Sequence, residues 1–177
     1  GLVGSEMCIR DRLYTMANGI LNLTKVENQS ILTNVTEYNL SEQIRLTVLL
    51  LESKWTARNI NMNIDFGEYT INANEEMMKQ VWINLLDNAI KFSPEGEEIS
   101  IRISNKNEHI YVSISGKGPH IEDEEINKIF RKFYQSDSSH STEGTGIGLA
   151  LVSRIIELHK GRIEVNSDKN INTFTVI

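Results

Sequence analysis

The chain has 177 residues, enough for one compact domain with a short appendage and too few for two full-sized domains. Charged residues make up 24% and hydrophobic residues 40%, a balance typical of a globular protein and not of a disordered or fibrous chain. With 18 basic against 24 acidic residues, the net charge of −6 provides no general field for a nucleic-acid backbone, so no nucleic-acid partner is expected.

The number of cysteines and the length of the apolar segments indicate the cellular compartment in which the chain is expected. Cys8 is the only cysteine, so neither an internal disulfide nor a cysteine metal cluster can form, and a reducing cytoplasm is expected. Even an uninterrupted aliphatic run such as Val48 to Leu51 is far shorter than the roughly 18 residues that a membrane span needs. We therefore expect a soluble cytoplasmic domain.

Two amphipathic helices are predicted first along the chain. Residues 1–12 carry no apolar stripe that continues into the next segment, and we expect them to be a non-native leader of sequencing-adapter origin. From Leu13 to Asn28, apolar residues recur at spacings of three and four, which predicts the first helix. The second is expected from Asn39, whose side chain can cap it while Glu42 reaches back, to about Asn59.

Alternating apolar and polar residues then predict strands, separated by two further helices. The strands are expected at 60–66, 99–103, 110–114, 163–165 and 173–177, with a hairpin at 105–107, and the helices at 74–92 and 146–159. Strands that alternate with helices give an α/β layer fold, with one sheet covered by helices on one face.

The predicted helix 74–92 carries a polar stripe beside its apolar one. At 100° per residue, Asn84, Asn88 and Lys91 fall within about 60° of arc. Amide oxygens can ligate a hard cation such as Mg²⁺, and an ammonium one turn away can meet the phosphates that the cation bridges. On these three residues alone, a solvated helix face is the simpler interpretation.

The sequence around these three residues favours a binding site over a solvated face, because residues 80–93 closely resemble the N box of sensor histidine kinases. In that box N-L-L-x-N-A-x-K is followed by an aromatic residue and Ser or Thr. The resemblance implies that Asn88 ligates Mg²⁺, that Asn84 supports the site and that Lys91 contacts phosphate. Phe92 stands where an aromatic packs near the nucleotide, although a plain core position explains it equally well.

A glycine-rich segment precedes the last predicted helix and contains Gly144, Thr145, Gly146, Gly148 and Leu149. Glycines let backbone amides close on phosphates, and a helix N-terminus adds a favourable partial positive charge. A bare G-x-G-x-G is a weak signal, since flexible loops also collect glycine. Here residues 149–163 are similar to the family's second glycine box and its helix almost residue for residue, which implies that the five residues of the segment bind ATP.

The segment before it, residues 129–135, resembles the family's phenylalanine box. The polar residues 136–142 then stand where the family has its mobile ATP lid. Arg131 and Lys132 are candidates to contact the γ-phosphate. A solvated face is an equally good interpretation of these two charges.

The first glycine box departs from the family pattern D-x-G-x-G, because residues 116–120 read G-K-G-P-H. In the family the aspartate accepts a hydrogen bond from the adenine amine, worth roughly 1.5–3 kcal/mol, and Gly116 has no side chain to do so. A Cβ at His120 would cost roughly 1–2 kcal/mol if φ there were positive. Gly118 retains its place in the nucleotide site, and Thr173 is a candidate to hold an adenine-bound water.

The resemblance also divides the chain. Residues 13–33 are similar to the end of a dimerisation helix and its linker, and 34–177 to the ATP-binding catalytic domain, whose last strand we expect to be clipped. The family's phospho-acceptor pattern H-E-x-x-[S/T]-P is not present, since neither proline has a histidine five residues before it. The implied fold is the GHKL or Bergerat fold, an α+β two-layer sandwich with a mixed, mostly antiparallel sheet.

The implied function is to bind Mg²⁺ and ATP and to transfer the γ-phosphate to a histidine on a separate dimerisation domain. The implied partners are that domain, a response regulator downstream, and a second copy within a homodimeric parent in the bacterial cell membrane. Two alternatives stay open. One is a pseudokinase that has abandoned ATP and acts as a binding module. The other is a GHKL ATPase, which needs a glutamate where Asn84 stands, because an amide cannot accept a proton from water.

Overall fold

The computed structural model describes residues 2–135 and 146–177. Its helices are α1 (Leu2–Glu27), α2 (Leu40–Leu50), α3 (Glu52–Ala57), α4 (Glu75–Phe92), α5 (Asp123–Ile126) and α6 (Gly148–Leu158). Its strands are β1 (Val35–Asn39), β2 (Asn61–Asp65), β3 (Thr70–Asn74), β4 (Glu98–Lys106), β5 (His109–Lys117), β6 (Ile163–Asp168) and β7 (Ile171–Val176). None of the described helices is both long and apolar enough to cross a membrane.

Five strands form one sheet in the order β2-β4-β5-β7-β6, and β1 pairs with β3 in a separate two-stranded sheet. Only β2 and β4 run parallel within the larger sheet; its other pairs are antiparallel. The hairpins β4–β5 and β6–β7 each turn through two residues of positive φ, Asn107-Glu108 and Lys169-Asn170, as tight hairpins require. The predicted mixed, mostly antiparallel sheet is confirmed.

The core lies between one face of this sheet and the helices α4 and α6. Side chains at most 3% exposed come from the sheet (Ile99, Ile101, Ile114), from α4 (Trp82, Leu86) and from α6 (Val152, Ile155). The opposite face of the central strands carries partly exposed polar side chains such as Ser113, Ser115 and Thr175. The predicted α+β two-layer sandwich is therefore confirmed.

The helix α4 begins where the sequence predicts. Asn74 caps it, because its Oδ1 accepts the Met77 N–H at 3.0 Å. Asn39 caps α2 in the same way, through the Glu42 N–H at 2.9 Å. The predicted long second helix is wrong beyond that point, because the chain leaves helical geometry at Leu51 (φ −97°, ψ 11°) and continues as the separate helix α3.

A buried glutamine joins β1, α2 and α4. The Gln43 Oε1 accepts from the Tyr38 hydroxyl at 2.8 Å and from the Trp82 indole N–H at 2.9 Å, while its Nε2 donates to the Glu75 carbonyl at 2.8 Å. Burial raises the pKa of the Tyr38 phenol, so this hydroxyl stays protonated and donates throughout the neutral range.

The helix α1 starts at Leu2, eleven residues before the predicted Leu13. Its last two turns bury Leu23 and Val26, each 4% exposed, and Gly19 lies against Ile147 at the start of α6, where a Cβ would lie 3.8 Å from the isoleucine side chain. The end of α1 is thus part of the packed domain.

Candidate functional site

A stripe of polar side chains runs along α4, and its first member, Asn84, lies against the beginning of α6. Asn84, Asn88 and Lys91 are each half-buried, while the apolar stripe of the same helix packs into the core. The Asn84 amide nitrogen donates to the Gln80 carbonyl at 2.7 Å, which fixes the side chain. Its Oδ1 points toward α6, because a Cβ placed on Gly148 would lie 2.6 Å from that oxygen.

The start of α6 approaches α4 closely because it is built from glycine. Because Gly148 has no side chain, the Asn84 oxygen can occupy the space beside it. Gly146 adopts φ +69°, and a Cβ there would lie 2.8 Å from the Phe133 Cα, so this turn also requires glycine. Within the described part of the chain no side chain caps α6, whose N-cap residue is the apolar Ile147. Uncapped N–H groups and the helix dipole make this terminus suited to phosphate.

Four other predicted residues border this region or lie outside the described part of the chain. Gly144 and Thr145 are outside the described residues. Leu149 is half-buried and packs against the core. Phe92, the last residue of α4, is also half-buried, and its carbonyl oxygen and Cβ would lie 3.5 and 3.7 Å from a Cβ on Gly118. The end of α4 therefore adjoins the first glycine loop.

The donor set of the α4 stripe fits a magnesium ion that is bound together with phosphate. Among residues 2–135 and 146–177, no three His, Cys, Asp or Glu side chains gather into a metal site. Mg²⁺ keeps several waters and is commonly held by one or two protein oxygens plus phosphate oxygens. The Asn88 amide oxygen, one turn beyond Asn84 and close to Lys91 on the same stripe, is a suitable protein ligand.

The first glycine loop is held against the β6–β7 hairpin. Gly116, where the family has its aspartate, pairs with Asn172 across β5 and β7. Gly118 donates its N–H to the Asn170 carbonyl at 2.9 Å. A Cβ on Gly118 would lie 3.0 Å from the Asn172 Nδ2, so glycine at this position makes room for the asparagine amide.

His120 replaces a family glycine without the expected backbone strain. Its φ is not positive, so the condition under which a Cβ would be costly is not met. The Ser167 hydroxyl donates to the Asn172 Oδ1 at 2.6 Å and accepts the Ile121 N–H at 3.0 Å. The His120 Nδ1 lies 3.0 Å from the same hydroxyl oxygen, and donates to it because the hydroxyl proton is directed to Asn172. The histidine thereby helps to fix the loop.

Thr173 does not face Gly116. Its hydroxyl is hydrogen-bonded to the Ser115 hydroxyl at 2.7 Å, on the sheet face away from the helices. Successive residues of a strand point to opposite faces, so the residue of β7 that shares a face with the Gly116 position is Asn172. The expectation for Thr173 is therefore corrected. Alternation with the core-packed Phe174 could have identified Asn172 from the sequence.

The two basic residues after α5, Arg131 and Lys132, have different surroundings. Arg131 is exposed. The Lys132 ammonium lies 2.6 Å from an Oε of Glu27 in the last turn of α1, so it is paired with the linker helix in this structure. Nearby, Arg154 of α6 donates to the Gln29 carbonyl at 2.7 Å. The expected lid at 136–142 lies outside the described residues.

The described histidines have structural roles. The His159 Nε2 accepts the Asn74 N–H at 3.1 Å and its Nδ1 lies 2.7 Å from the Ile155 carbonyl, so the ring joins α6 to the start of α4. The His109 Nδ1 lies 2.7 Å from the Asn107 carbonyl at a hairpin turn. His159 thus uses both ring nitrogens within the fold, and His109 uses its Nδ1 at the turn.

Comparisons with known proteins agree with the described fold. The model of the histidine kinase-, DNA gyrase B- and HSP90-like ATPases matches residues 73–177. The sensor histidine kinase CusS of Escherichia coli O6:H1 is 28% identical over 168 residues, which cover 94% of this chain and 35% of CusS. The adaptive-response sensory kinase SasA of Prochlorococcus marinus is 39% identical over 140 residues, which cover 77% of this chain and 37% of SasA.

A solved structure with the same fold is that of histidine kinase ThkA in complex with the response regulator protein TrrA. It is 29% identical, with a TM-score of 0.78, and the match covers 99% of this chain and 48% of ThkA. The chain spans about a third of the length of curated relatives such as CusS and SasA.

Proposed function

We propose that this chain, which belongs to the family of histidine kinase-, DNA gyrase B- and HSP90-like ATPases, binds Mg-ATP and transfers its γ-phosphate to a histidine on a dimerisation domain. The observation that carries the proposal is the contact between α4 and α6. The fixed amide of Asn84 on α4 lies against the glycine-built start of α6, so the helix face that also carries the proposed metal ligand Asn88, one turn away, adjoins the N–H groups of a helix N-terminus.

Each residue of this site has a proposed role that follows from its chemistry. Bound Mg²⁺ would neutralise charge on the phosphates, and Asn88 supplies its protein ligand. Lys91 contacts phosphate, and the second glycine box, from Gly144 to Leu149, binds phosphate through its backbone. Asn84 acts through position, because its amide nitrogen bonds Gln80 while its oxygen packs against the start of α6.

Phosphoryl transfer is favoured over hydrolysis by the identity of residue 84. An ATPase needs a general base that accepts a proton from water, and an amide does not accept one. The Asn84 nitrogen is a donor committed to the Gln80 carbonyl. The site therefore positions a nucleotide without activating water.

Partners and location follow from the kinase proposal. The acceptor histidine belongs to the dimerisation domain of the parent protein, since the sequence given has no H-E-x-x-[S/T]-P pattern. A response regulator then takes the phosphoryl group, a role supported by the complex of ThkA with TrrA. We place the parent, as a homodimer, in a bacterial membrane with this domain in the cytoplasm.

Phosphorylation in trans tests this function. The chain is mixed with ATP labelled at the γ-phosphate and with a separately prepared dimerisation domain of its parent. We expect acid-labile label on the added domain, and little with the Asn88→Ala variant. Label that fails to transfer from a chain that binds Mg-ATP would contradict the kinase assignment.

A pseudokinase is the second candidate, and the absence of a carboxylate at Gly116 favours it. In that case the fold serves as a binding module, and neither Mg-ATP nor Mg-ADP binds at millimolar concentration. Nucleotide titration separates the two candidates before any transfer assay is needed.

A further inference from the structure

The end of α1 contacts two segments that meet at the start of α6. Gly19 of α1 lies against Ile147, where an added Cβ would be 3.8 Å from the isoleucine side chain. In the last turn of α1, the Glu27 carboxylate receives the Lys132 ammonium, with its two oxygens 2.6 and 2.8 Å from Nζ. The proposed phosphate-binding turn and a neighbouring cation are therefore both in contact with α1.

The backbone places Lys132 beside this glycine turn. The next residue, Phe133, donates its N–H to the Gly146 carbonyl at 2.9 Å. A Cβ on Gly146 would lie 2.8 Å from the Phe133 Cα, so the two segments touch directly. A lysine carries its charge on a flexible four-carbon stem, so the same ammonium can turn to α1 or to a phosphate bound at the turn.

The layout of α4 indicates which phosphate comes to the turn. The first glycine loop adjoins Phe92 at the end of α4, whereas the start of α6 adjoins Asn84, about two turns earlier. In the proposed site, a nucleotide with its base at the glycine loop directs its phosphates along α4 to the start of α6. The terminal phosphate is then the one closest to Lys132.

The ammonium can leave Glu27 at low cost. The side chains of Lys132 and Glu27 are 49% and 33% exposed, and ion pairs in such surroundings contribute little to stability. A terminal phosphate offers three acceptor oxygens and about two negative charges, against the single charge of the carboxylate. The phosphate is therefore the stronger partner when a triphosphate is bound.

We propose that the Glu27 carboxylate of α1 and the γ-phosphate of ATP compete for Lys132. Glu27 consequently lowers the affinity for ATP, and bound ATP loosens the end of α1, because coupling between two binding events is reciprocal. ADP lacks the γ-phosphate and does neither. This inference rests on the proposed nucleotide site and adds a regulatory contact to it.

The expected response of α1 is local, because other contacts keep it docked. Leu23 and Val26 are each 4% exposed, and the Arg154 guanidinium donates to the Gln29 carbonyl at 2.7 Å. None of these contacts involves Lys132. Loss of the ion pair should therefore loosen the last turn of α1 without releasing the helix.

Calorimetric titration of the full chain with Mg-ATP and Mg-ADP at low salt tests the competition. Glu27→Gln should tighten Mg-ATP binding by about two- to fivefold, the range of a partly exposed ion pair, and leave Mg-ADP binding unchanged. Glu37→Gln is the matched control, because it removes the same charge from an exposed position on β1 and should change neither affinity. Equal tightening for both nucleotides, or none for ATP, would overturn the inference.

A double-mutant cycle identifies Lys132 as the shared partner. Lys132→Gln should weaken Mg-ATP binding and spare Mg-ADP binding. In that background Glu27→Gln should bring no further gain, because the contested ammonium is gone. A gain for ATP that persists without Lys132 would show a general charge effect and contradict the proposed competition.

Amide hydrogen exchange over residues 24–29 measures the reciprocal effect. Saturating Mg-ATP should speed exchange there relative to saturating Mg-ADP, and Lys132→Gln should abolish the difference. Equal exchange with both nucleotides in the unsubstituted chain would refute the release of α1. If the chain binds neither nucleotide, the proposed function fails and this inference fails with it. If it binds both and Glu27→Gln does not favour ATP, only this inference fails.

Discussion

Substitution of Asn88 tests the proposed magnesium site directly. Its amide lies on the half-buried stripe of α4 and has no carboxylate cluster to replace it among the described residues. Asn88→Ala should weaken Mg-dependent ATP binding by more than it weakens Mg-free ADP binding, because the lost ligand acts through the cation. Asn166→Ala, an exposed asparagine on the edge strand β6, should change neither. Equal weakening of both nucleotides by Asn88→Ala would remove this residue from the metal site.

Gly148 tests the contact between α4 and α6. A Cβ at this position would lie 2.6 Å from the Asn84 oxygen, and Asn84 is itself held by Gln80. Overpacking of this kind costs roughly 1–3 kcal/mol, so Gly148→Ala should lower Tm by about 3–10 °C and weaken nucleotide binding. Gly67→Ala, where a Cβ would meet nothing within 4 Å, is the control and should leave Tm nearly unchanged. Thermal unfolding that gives the same Tm for both variants would contradict the described contact.

The residues of the site could be predicted from the sequence only where local spacing determines their position. The stripe of Asn84, Asn88 and Lys91 follows from helix geometry, and the structure places these residues together. Alternation with Phe174 places Asn172, and not Thr173, on the core side of the sheet, but that Asn172 lies opposite Gly116 depends on the pairing of β7 with β5, which joins residues far apart along the chain. The unstrained His120 likewise depends on a distant serine, Ser167.

At the scale of elements, the packing of α1 against α6 connects the linker to the nucleotide site. Leu23, one turn beyond Gly19 on α1, is 4% exposed, while Leu21 on the same helix is 66% exposed. Leu23→Ala should lower the free energy of unfolding by about 2–4 kcal/mol, and Leu21→Ala should change it by less than about 0.5 kcal/mol. Urea denaturation of the two variants measures this difference. Equal small effects would show that α1 does not pack on the domain in solution.

The elements that the sequence predicted well are those with strong local signals. α4 and α6 have capping or glycine signals and long apolar stripes, and both were placed to within two residues. The strands β1 and β3 were missed, because their pairing with each other, and not their own alternation, defines them. The break at Leu51 was also missed, since the apolar stripe continues across it into Trp55, whose indole N–H bonds the Val48 carbonyl.

At the scale of the whole molecule, the chain should be unable to label itself. His159 uses both ring nitrogens within the fold, and the sequence has no phospho-acceptor pattern. Incubation of the isolated chain with γ-labelled ATP should therefore give no stable phosphohistidine. The appearance of acid-labile label on the chain itself would refute the assignment of the acceptor to a separate dimerisation domain.

The central claim is that α4, α6 and the first glycine loop together form one nucleotide site that requires magnesium. Calorimetric titration of the chain with ATP, in the presence and absence of Mg²⁺, tests it most directly. We predict a single saturable site whose ATP affinity falls at least tenfold when Mg²⁺ is removed, because the α4 ligand reaches the phosphates only through the cation. Absence of saturable binding with Mg²⁺ present, or binding that is indifferent to Mg²⁺, would contradict this account.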